Sequence, residues 1–180
     1  MQSTNEEFSE HSGELEALYI KESRYGMIRW FMRAISNSAD FDGRARRKEF
    51  WWFYLGFIVL NILAVMADDV ITYLTGGFSG WARLVATLFL LLPMLSVTNR
   101  RLHDIGRSGS WQYLWFGPLL LLVLIFIIDS SIESETSDFI YGAIGVLIFS
   151  IAGGWVALLI LMLFKTSPKI NKWGAPAKRV

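Results

Sequence analysis

The sequence contains no cysteine and only two histidines, His11 and His103. The lack of cysteine excludes disulfides, thiolate metal sites and cysteine nucleophiles. Two histidines cannot by themselves form a metal centre, so we expect no bound metal and no cofactor. The first residues also lack a basic segment followed by an apolar core, and this predicts that no cleavable signal peptide is present.

Long apolar runs dominate what the sequence does contain. Its 53% hydrophobic content and mean hydropathy of +0.40 exceed the values of an ordinary soluble domain. A helix of about 20 apolar residues crosses a hydrocarbon core of about 30 Å. Four runs approach or exceed this length and lack the polar face of a soluble bundle: residues 50–67, 81–97, 111–128 and 139–164.

Positive charge is almost absent from one set of loops. Of the 17 lysines and arginines, only Arg83 falls on the side of the first and third connections. Those connections instead carry acids: Asp68, Asp69, Asp129, Glu133, Glu135 and Asp138. Because Lys and Arg are retained in the cytoplasm, the sequence predicts an all-α membrane protein with four transmembrane helices and both termini in the cytoplasm.

The region before the first span divides into two parts. Residues 1–26 are acidic and polar, and we expect a disordered tail. Residues 27–176 form the predicted transmembrane domain, and residues 165–180 include a basic cytoplasmic tail. At its start, Met27 to Ile35 place apolar residues on one helical face, opposite Arg29 and Arg33, which predicts an amphipathic helix at the membrane interface. A helix packed on a partner protein is the alternative.

Two similar motifs precede the first and third spans. Both "DFDGRARRKEFWWFY" and "RRLHDIGRSGSWQYLWF" combine Asp, Gly and Arg with a Trp-rich helix start. Two helical hairpins of the same orientation would carry these motifs to the same side of the membrane. We therefore expect the motifs to meet in one basic, glycine-containing surface.

From Trp30 to about Pro176, these motifs and the tail "NKWGAP" resemble bacterial inner-membrane proteins of the domain of unknown function 805 family. The matching residues of the first motif are Gly43, Arg44, Arg47, Phe50 and Trp51, and the second motif runs from Arg100 to Gly109. Where family members often carry a Trp pair after the second motif, this chain has Ser110 and Trp111. The resemblance implies a multi-pass protein of the bacterial inner (plasma) membrane, and the family has no established biochemical role.

Two non-enzymatic interpretations of the motifs stay open. In the architectural one, arginines hold the loops in the cytoplasm, Asp42 and Asp104 pair with neighbouring arginines, and glycines permit tight turns. In the second, guanidinium groups and backbone N–H donors bind an anionic lipid headgroup, an effector or an acidic partner segment. The candidate anion-binding residues are Gly43, Arg44, Arg47, Arg100, Arg101, His103, Asp104, Gly106, Arg107 and Ser108.

Catalysis and transport have less support in the sequence. His103 and Asp104 are adjacent, so on a helix they project about 100° apart, and Ser108 has no nucleophile-elbow context. We expect no enzymatic activity. Transport depends on Asn61, the polar residue in the middle of a predicted span. The best prediction is an accessory or regulatory protein, and the alternative is a small-solute transporter or channel subunit.

The predicted partners follow from the same features. They are the lipid bilayer, anionic headgroups or a protein partner, and no nucleic acid. The fourth run contains Gly142, Gly145, Ser150, Gly153 and Gly154. Small residues let helix backbones approach closely, so this run serves either packing within the chain or formation of a homo-oligomer.

Overall fold

Helices make up most of the computed structural model, which describes residues 2–77, 80–131 and 138–177. They are α1 (Gln2–Ser23), α2 (Met27–Ser36), α3 (Arg47–Thr75), α4 (Trp81–Asp104), α5 (Tyr113–Ser131) and α6 (Asp138–Leu163). A 3₁₀ turn, Gly109–Gln112, precedes α5. These ranges contain no β-strand, and the all-α prediction is confirmed.

Three helices among the described residues are long and apolar enough to cross a membrane. They are α3, α4 and the part of α6 from Gly142 to Leu163. The apolar stretch Gly109–Ile125, which includes most of the predicted third span, is shorter. Many apolar side chains face outward, as Phe149 does with 81% of its surface exposed, which suits contact with lipid. The number of four spans stays a prediction.

The connected end of the α3–α4 hairpin, between Thr75 and Trp81, differs from the prediction. Asp68 was expected in a connecting loop, but α3 continues to Thr75 and Asp68 is a buried residue within it. Its carboxylate accepts hydrogen bonds from the backbone N–H groups of Ala82 at 3.0 Å and Arg83 at 2.9 Å. Because the first N–H groups of a helix lack partners within it, Asp68 caps α4 and closes the hairpin.

Packing between helices depends on aromatic rings and on two glycines. The ring of Phe31 on α2 stacks on Phe53 of α3 at 5.3 Å and lies directly over Gly56. On α6, Gly154 meets the backbone of α5 at Leu114. Thus α3 packs along α4 and α2, while α5 packs along α6.

An aromatic cluster joins the two hairpins. Trp155 of α6 contacts Tyr54 of α3, with ring centroids 5.8 Å apart, and Trp115 of α5 at 5.0 Å. This cluster packs against an apolar core that includes the buried side chains of Phe50, Leu158 and Met162. The core therefore lies toward the end of the bundle where the two predicted motifs are found.

Most of the acidic segment for which disorder was predicted, residues 1–26, is helix α1 in the structure. The helix covers Gln2–Ser23, and its last turns contact the rest of the chain. Glu22 is buried, and the Tyr19 hydroxyl donates to the carbonyl of Pro176 at 2.6 Å. Composition alone shows an excess of acids, but it does not show that Glu22 meets basic partners from distant segments.

Helix α2 covers the predicted amphipathic segment, although its faces are more complex than predicted. Trp30 and Ala34 are buried, as expected. Met27, which was assigned to the same apolar face, is 57% exposed, and Ile28 is 72% exposed. The helix therefore buries one apolar edge against α3 and leaves another uncovered, an arrangement typical of a helix at a membrane interface.

Candidate functional site

A buried carboxylate, that of Asp104, is at the centre of the two sequence motifs. Its Oδ1 accepts a hydrogen bond from Arg44 Nε at 3.1 Å and a longer one from the Ala177 N–H at 3.4 Å. Its Oδ2 accepts from Arg101 Nη1 and, at 2.8 Å, from the Thr166 hydroxyl. Asp104 is fully buried, and such a carboxylate is stable only when it is paired in this way.

The guanidinium of Arg44 also binds the segment that follows α6. It donates to the carbonyl oxygens of Ser167 at 2.6 Å and Lys169 at 3.0 Å, as well as to the backbone carbonyl of Asp104 at 3.0 Å. Arg44 therefore joins the loop before α3, the end of α4 and the C-terminal segment. Its donors are directed at groups of the chain itself.

Arg101 has a similar role at the end of α6. Besides Asp104, its guanidinium donates to the carbonyl oxygens of Met162, at 3.2 Å, and Phe164. The last carbonyls of a helix have no partner within the helix, and a cation there is favoured by the helix dipole. Arg101 thus satisfies the C-terminus of α6 from the adjacent helix α4.

A second buried cluster connects the N-terminal helices to the same end of the bundle. Glu49 of α3 accepts from Arg100 Nη1 at 2.7 Å and from Arg33 Nε at 3.2 Å. Glu22 of α1 pairs with Arg33 and, at 2.7 Å, with Arg46 Nε. Counting those around Asp104, five arginines and three carboxylates therefore form two ion-paired clusters at this end of the bundle, and we call the two together the charged core.

The adjacent residues His103 and Asp104 have separate partners. The imidazole of His103 stacks on the indole of Trp173, with centroids 4.1 Å apart and planes 10° apart. Its Nδ1 lies 3.2 Å from the carbonyl oxygen of Gly43. The Asn171 side chain donates to the His103 carbonyl at 2.9 Å. The ring therefore helps to hold the C-terminal segment against the loop before α3.

The two motifs meet, as the sequence predicted, and their backbones are joined. The Ala45 N–H donates to the carbonyl of Arg100 at 3.0 Å. Gly43 and Gly106, with φ of 76° and 80°, adopt the left-handed conformation that other residues rarely adopt. The second motif is less of a loop than predicted, because α4 continues through Asp104. Because Arg100 pairs with Glu49 and Arg101 pairs with Asp104, the helix can extend beyond its apolar part.

Four of the predicted site residues are exposed. Arg47, Gly106, Arg107 and Ser108 lie at the surface, whereas Arg44, Arg100, Arg101, His103 and Asp104 are buried and Gly43 is intermediate. The exposed guanidinium of Arg107 lies over the indole of Trp111 at 4.8 Å. The predicted set therefore divides into an internal part and an accessible part.

Some residues of this region were not predicted. Glu22 and Glu49 carry charge into the core, and Ser96 and Asn99 of α4 hold the loop between α2 and α3. The Ser96 hydroxyl donates to the Asn37 carbonyl at 2.8 Å, and the Asn99 amide donates to the Phe41 carbonyl at 2.6 Å. Glu49 had one sequence signal, since it is the single acid in the basic run "RARRKEF".

Asp42 does not have the role predicted for it. Its neighbour in the first motif, Arg44, pairs with Asp104 instead. Asp42 is exposed, and its backbone N–H donates to the carboxylate of Asp40 at 3.1 Å. The salt bridges among the described residues do not include Asp42, so of the two predicted pairings with neighbouring arginines the structure contains that of Asp104. As for metals, the described residues contain no group of three or more His, Asp or Glu that could hold an ion.

Comparison with known proteins identifies the family. The family model described as "Protein of unknown function (DUF805)" matches residues 38–175. The chain belongs to the DUF805 family. The matched range begins after α2, so α1, α2 and their contacts from Glu22 and Arg33 lie outside the part that defines the family.

Relatives of this DUF805 protein include three from Escherichia coli strain K12. Inner membrane protein YhaI is 36% identical over 101 residues, which cover 55% of this chain and 82% of the relative. Inner membrane protein YhaH is 32% identical over 99 residues, covering 54% and 82%. Uncharacterized protein YiiR is 36% identical over 85 residues, covering 46% and 53%. No solved structure matches the chain. Together with the apolar helices, these relatives indicate an integral inner membrane protein.

Proposed function

We propose that this DUF805 protein spans the membrane four times, with both termini in the cytoplasm, and acts as a non-enzymatic accessory protein that binds anionic lipid headgroups. One observation carries the proposal: the charged core is internally paired, while other cations at the same end of the bundle are exposed. We call these exposed cations the basic rim, and they are Arg47, Lys48, Arg107, Lys165, Lys169 and Lys172.

The rim lies where lipid headgroups would be found. Arg47 begins α3, Arg107 shortly precedes α5, and Lys165 follows α6. Arg47 Nη1 donates to the Leu163 carbonyl at 3.4 Å, which places the start of α3 beside the end of α6. Near an anionic leaflet each Lys or Arg contributes about 1 kcal/mol of attraction. The charged core supports this role by holding the rim-bearing segments in fixed positions.

Transport stays the alternative, but Asn61, the polar residue in the middle of α3, gives it little support. Asn61 accepts a hydrogen bond from the Thr87 hydroxyl at 2.7 Å and donates to the Phe57 carbonyl at 2.9 Å. Its polar groups thus join α3 to α4. A surface depression of about 470 Å³ reaches Thr87, but its described lining, from Gly80 to Thr87, comes from the start of α4. These residues line a groove at one end of the bundle, and they provide no route across the bundle.

Removing three rim cations tests the binding role. We expect the combined Arg47→Gln, Arg107→Gln and Lys165→Gln variant to retain at least tenfold less phosphatidylglycerol than the wild type, because it loses about 3 kcal/mol of attraction. Native mass spectrometry of the purified protein, titrated with phosphatidylglycerol or phosphatidylcholine, measures this. Arg83→Gln, at the opposite end of α4, is the control. Equal retention by the triple variant and the control would contradict the proposal.

Cysteine labelling tests the topology, because any introduced thiol is the only one in the chain. We expect a membrane-impermeant maleimide to label Thr75→Cys and Ser134→Cys from outside the inner membrane. Ser36→Cys and Ser108→Cys should react only after permeabilisation. Protection of Ser134→Cys from the external reagent would reject the four-span arrangement, whereas external labelling of Ser108→Cys would reject the orientation.

A further inference from the structure

A narrow apolar groove of about 240 Å³ lies between α2 and α3. Ile28 and Phe31 line it from α2, and Trp52, Gly56 and Val59 line it from α3. Its other lining residues, Met27 and Leu55, are also apolar. Ile28 is 72% and Val59 45% exposed, so the groove opens to the surroundings of the helices.

The absence of a side chain at Gly56 helps to form the groove. A Cβ at this position would lie 2.5 Å from the ring of Phe31, so only glycine lets the ring approach α3 so closely. Phe31 is also held by stacking on Phe53. With the ring fixed there, the apolar groove lies beside it, between the two helices.

A cation lies on the same face of α3 as the groove. Lys48 is exposed and precedes Trp52 by four residues, which on a helix places it above Trp52, one turn toward the charged core. Gly56 and Val59 continue this face away from Lys48. The face therefore carries a positive charge at the end near the membrane surface and apolar side chains beyond it, which complements a phospholipid with a phosphate and an acyl chain.

We propose that the α2–α3 groove holds one acyl chain of an anionic phospholipid whose phosphate contacts Lys48. The inference rests on the proposed headgroup binding and extends it: the lipid is bound by its chain as well as by its charge. An acidic protein segment would meet Lys48 but would not fill a groove lined entirely by apolar side chains. A soluble phosphate would have no use for the groove.

Native mass spectrometry with phosphatidylglycerol as the probe tests this proposal. Val59→Trp places a bulky ring in the groove, and Leu55→Trp does so from the adjacent position. Lys48→Gln removes the charge. Val85→Trp, at an exposed position on α4, is the matched control for added bulk. We expect Val59→Trp and Leu55→Trp to lose the bound-lipid mass peak, Lys48→Gln to lower lipid retention about fivefold, and Val85→Trp to retain the lipid. Val59→Trp and Val85→Trp should have similar melting temperatures.

The outcomes separate the two proposals. If Val59→Trp and Leu55→Trp keep the lipid while the triple rim variant loses it, the groove proposal is overturned and headgroup binding stands. If the wild type shows no preference for phosphatidylglycerol over phosphatidylcholine, both proposals fail. Displacement of the lipid by millimolar inorganic phosphate alone would also overturn the groove, because it would show that the acyl chain contributes nothing to binding.

Discussion

Replacing Asp104 with asparagine is expected to destabilise the protein by about 3–5 kcal/mol, the cost of removing one partner from a buried ion pair. The carboxylate is fully buried and accepts from both Arg44 and Arg101. Asparagine has a similar shape, but it leaves the two guanidinium groups without a counter-charge inside the protein. The segment after α6 should detach first, since Thr166 and Ala177 also bind this carboxylate.

Thermal unfolding of the purified protein in detergent measures the effect. Asp42→Asn removes an exposed acid from the first motif and should leave the melting temperature nearly unchanged. A double-mutant cycle adds a sharper comparison, because Arg101→Met should cost much less in the Asp104→Asn background than in the wild type. Equal costs in both backgrounds, or equal melting temperatures for Asp104→Asn and Asp42→Asn, would show that the charged core does not depend on this pair.

This buried pairing changes which experiments can reveal a ligand. Substitution of Arg44 or Arg101 is the obvious test of an anion site when only the sequence is known. In the structure, both side chains bind carbonyl oxygens of the C-terminal segment as well as Asp104, so their loss would lower stability and lipid binding together. Exposed rim residues such as Arg47 and Arg107 separate the two effects, since their removal leaves the charged core intact.

Sequence patterns predicted the class of protein and the meeting of the two motifs, because both depend on local signals. Apolar run length indicates lipid-facing helices, and charge distribution indicates which connections share a side. The partners of Glu22 and Glu49 could not be read in the same way. Arg33 and Arg46 reach Glu22 from two other segments, and their pairing requires the end of α1 to lie beside α2 and the loop before α3.

Hydropathy also could not predict where the helices end. An apolar run shows where side chains suit lipid, but a helix continues as long as its polar residues find partners. Helix α3 continues through Asp68 because this carboxylate finds partners at the start of α4. Helix α4 continues through Arg100 because this guanidinium pairs with Glu49. The candidate site was predictable only in part: the sequence named its residues, but burial decided which arginines are structural and which are accessible.

Gly154→Ala is expected to separate α5 from α6 and to cost about 1–3 kcal/mol, the usual penalty for overpacking. A Cβ at Gly154 would overlap the backbone carbonyl of Leu114 on α5. A helix backbone cannot rotate away as a side chain can, so one helix must shift. Gly153 has open space at the equivalent point, and Gly153→Ala should be neutral or slightly stabilising, because alanine favours the helix.

The two alanine variants differ by one position, so they have the same composition and add the same apolar volume to α6. Thermal unfolding in the same detergent should give a lower melting temperature for Gly154→Ala alone. The effect should also add independently to that of Asp104→Asn, because Gly154 packs against Leu114 of α5 and Asp104 bonds to other segments. Matching melting temperatures for the two variants would mean that α5 does not cross α6 at Gly154. The small residues of α6 would then be available for contact with a second copy of the chain.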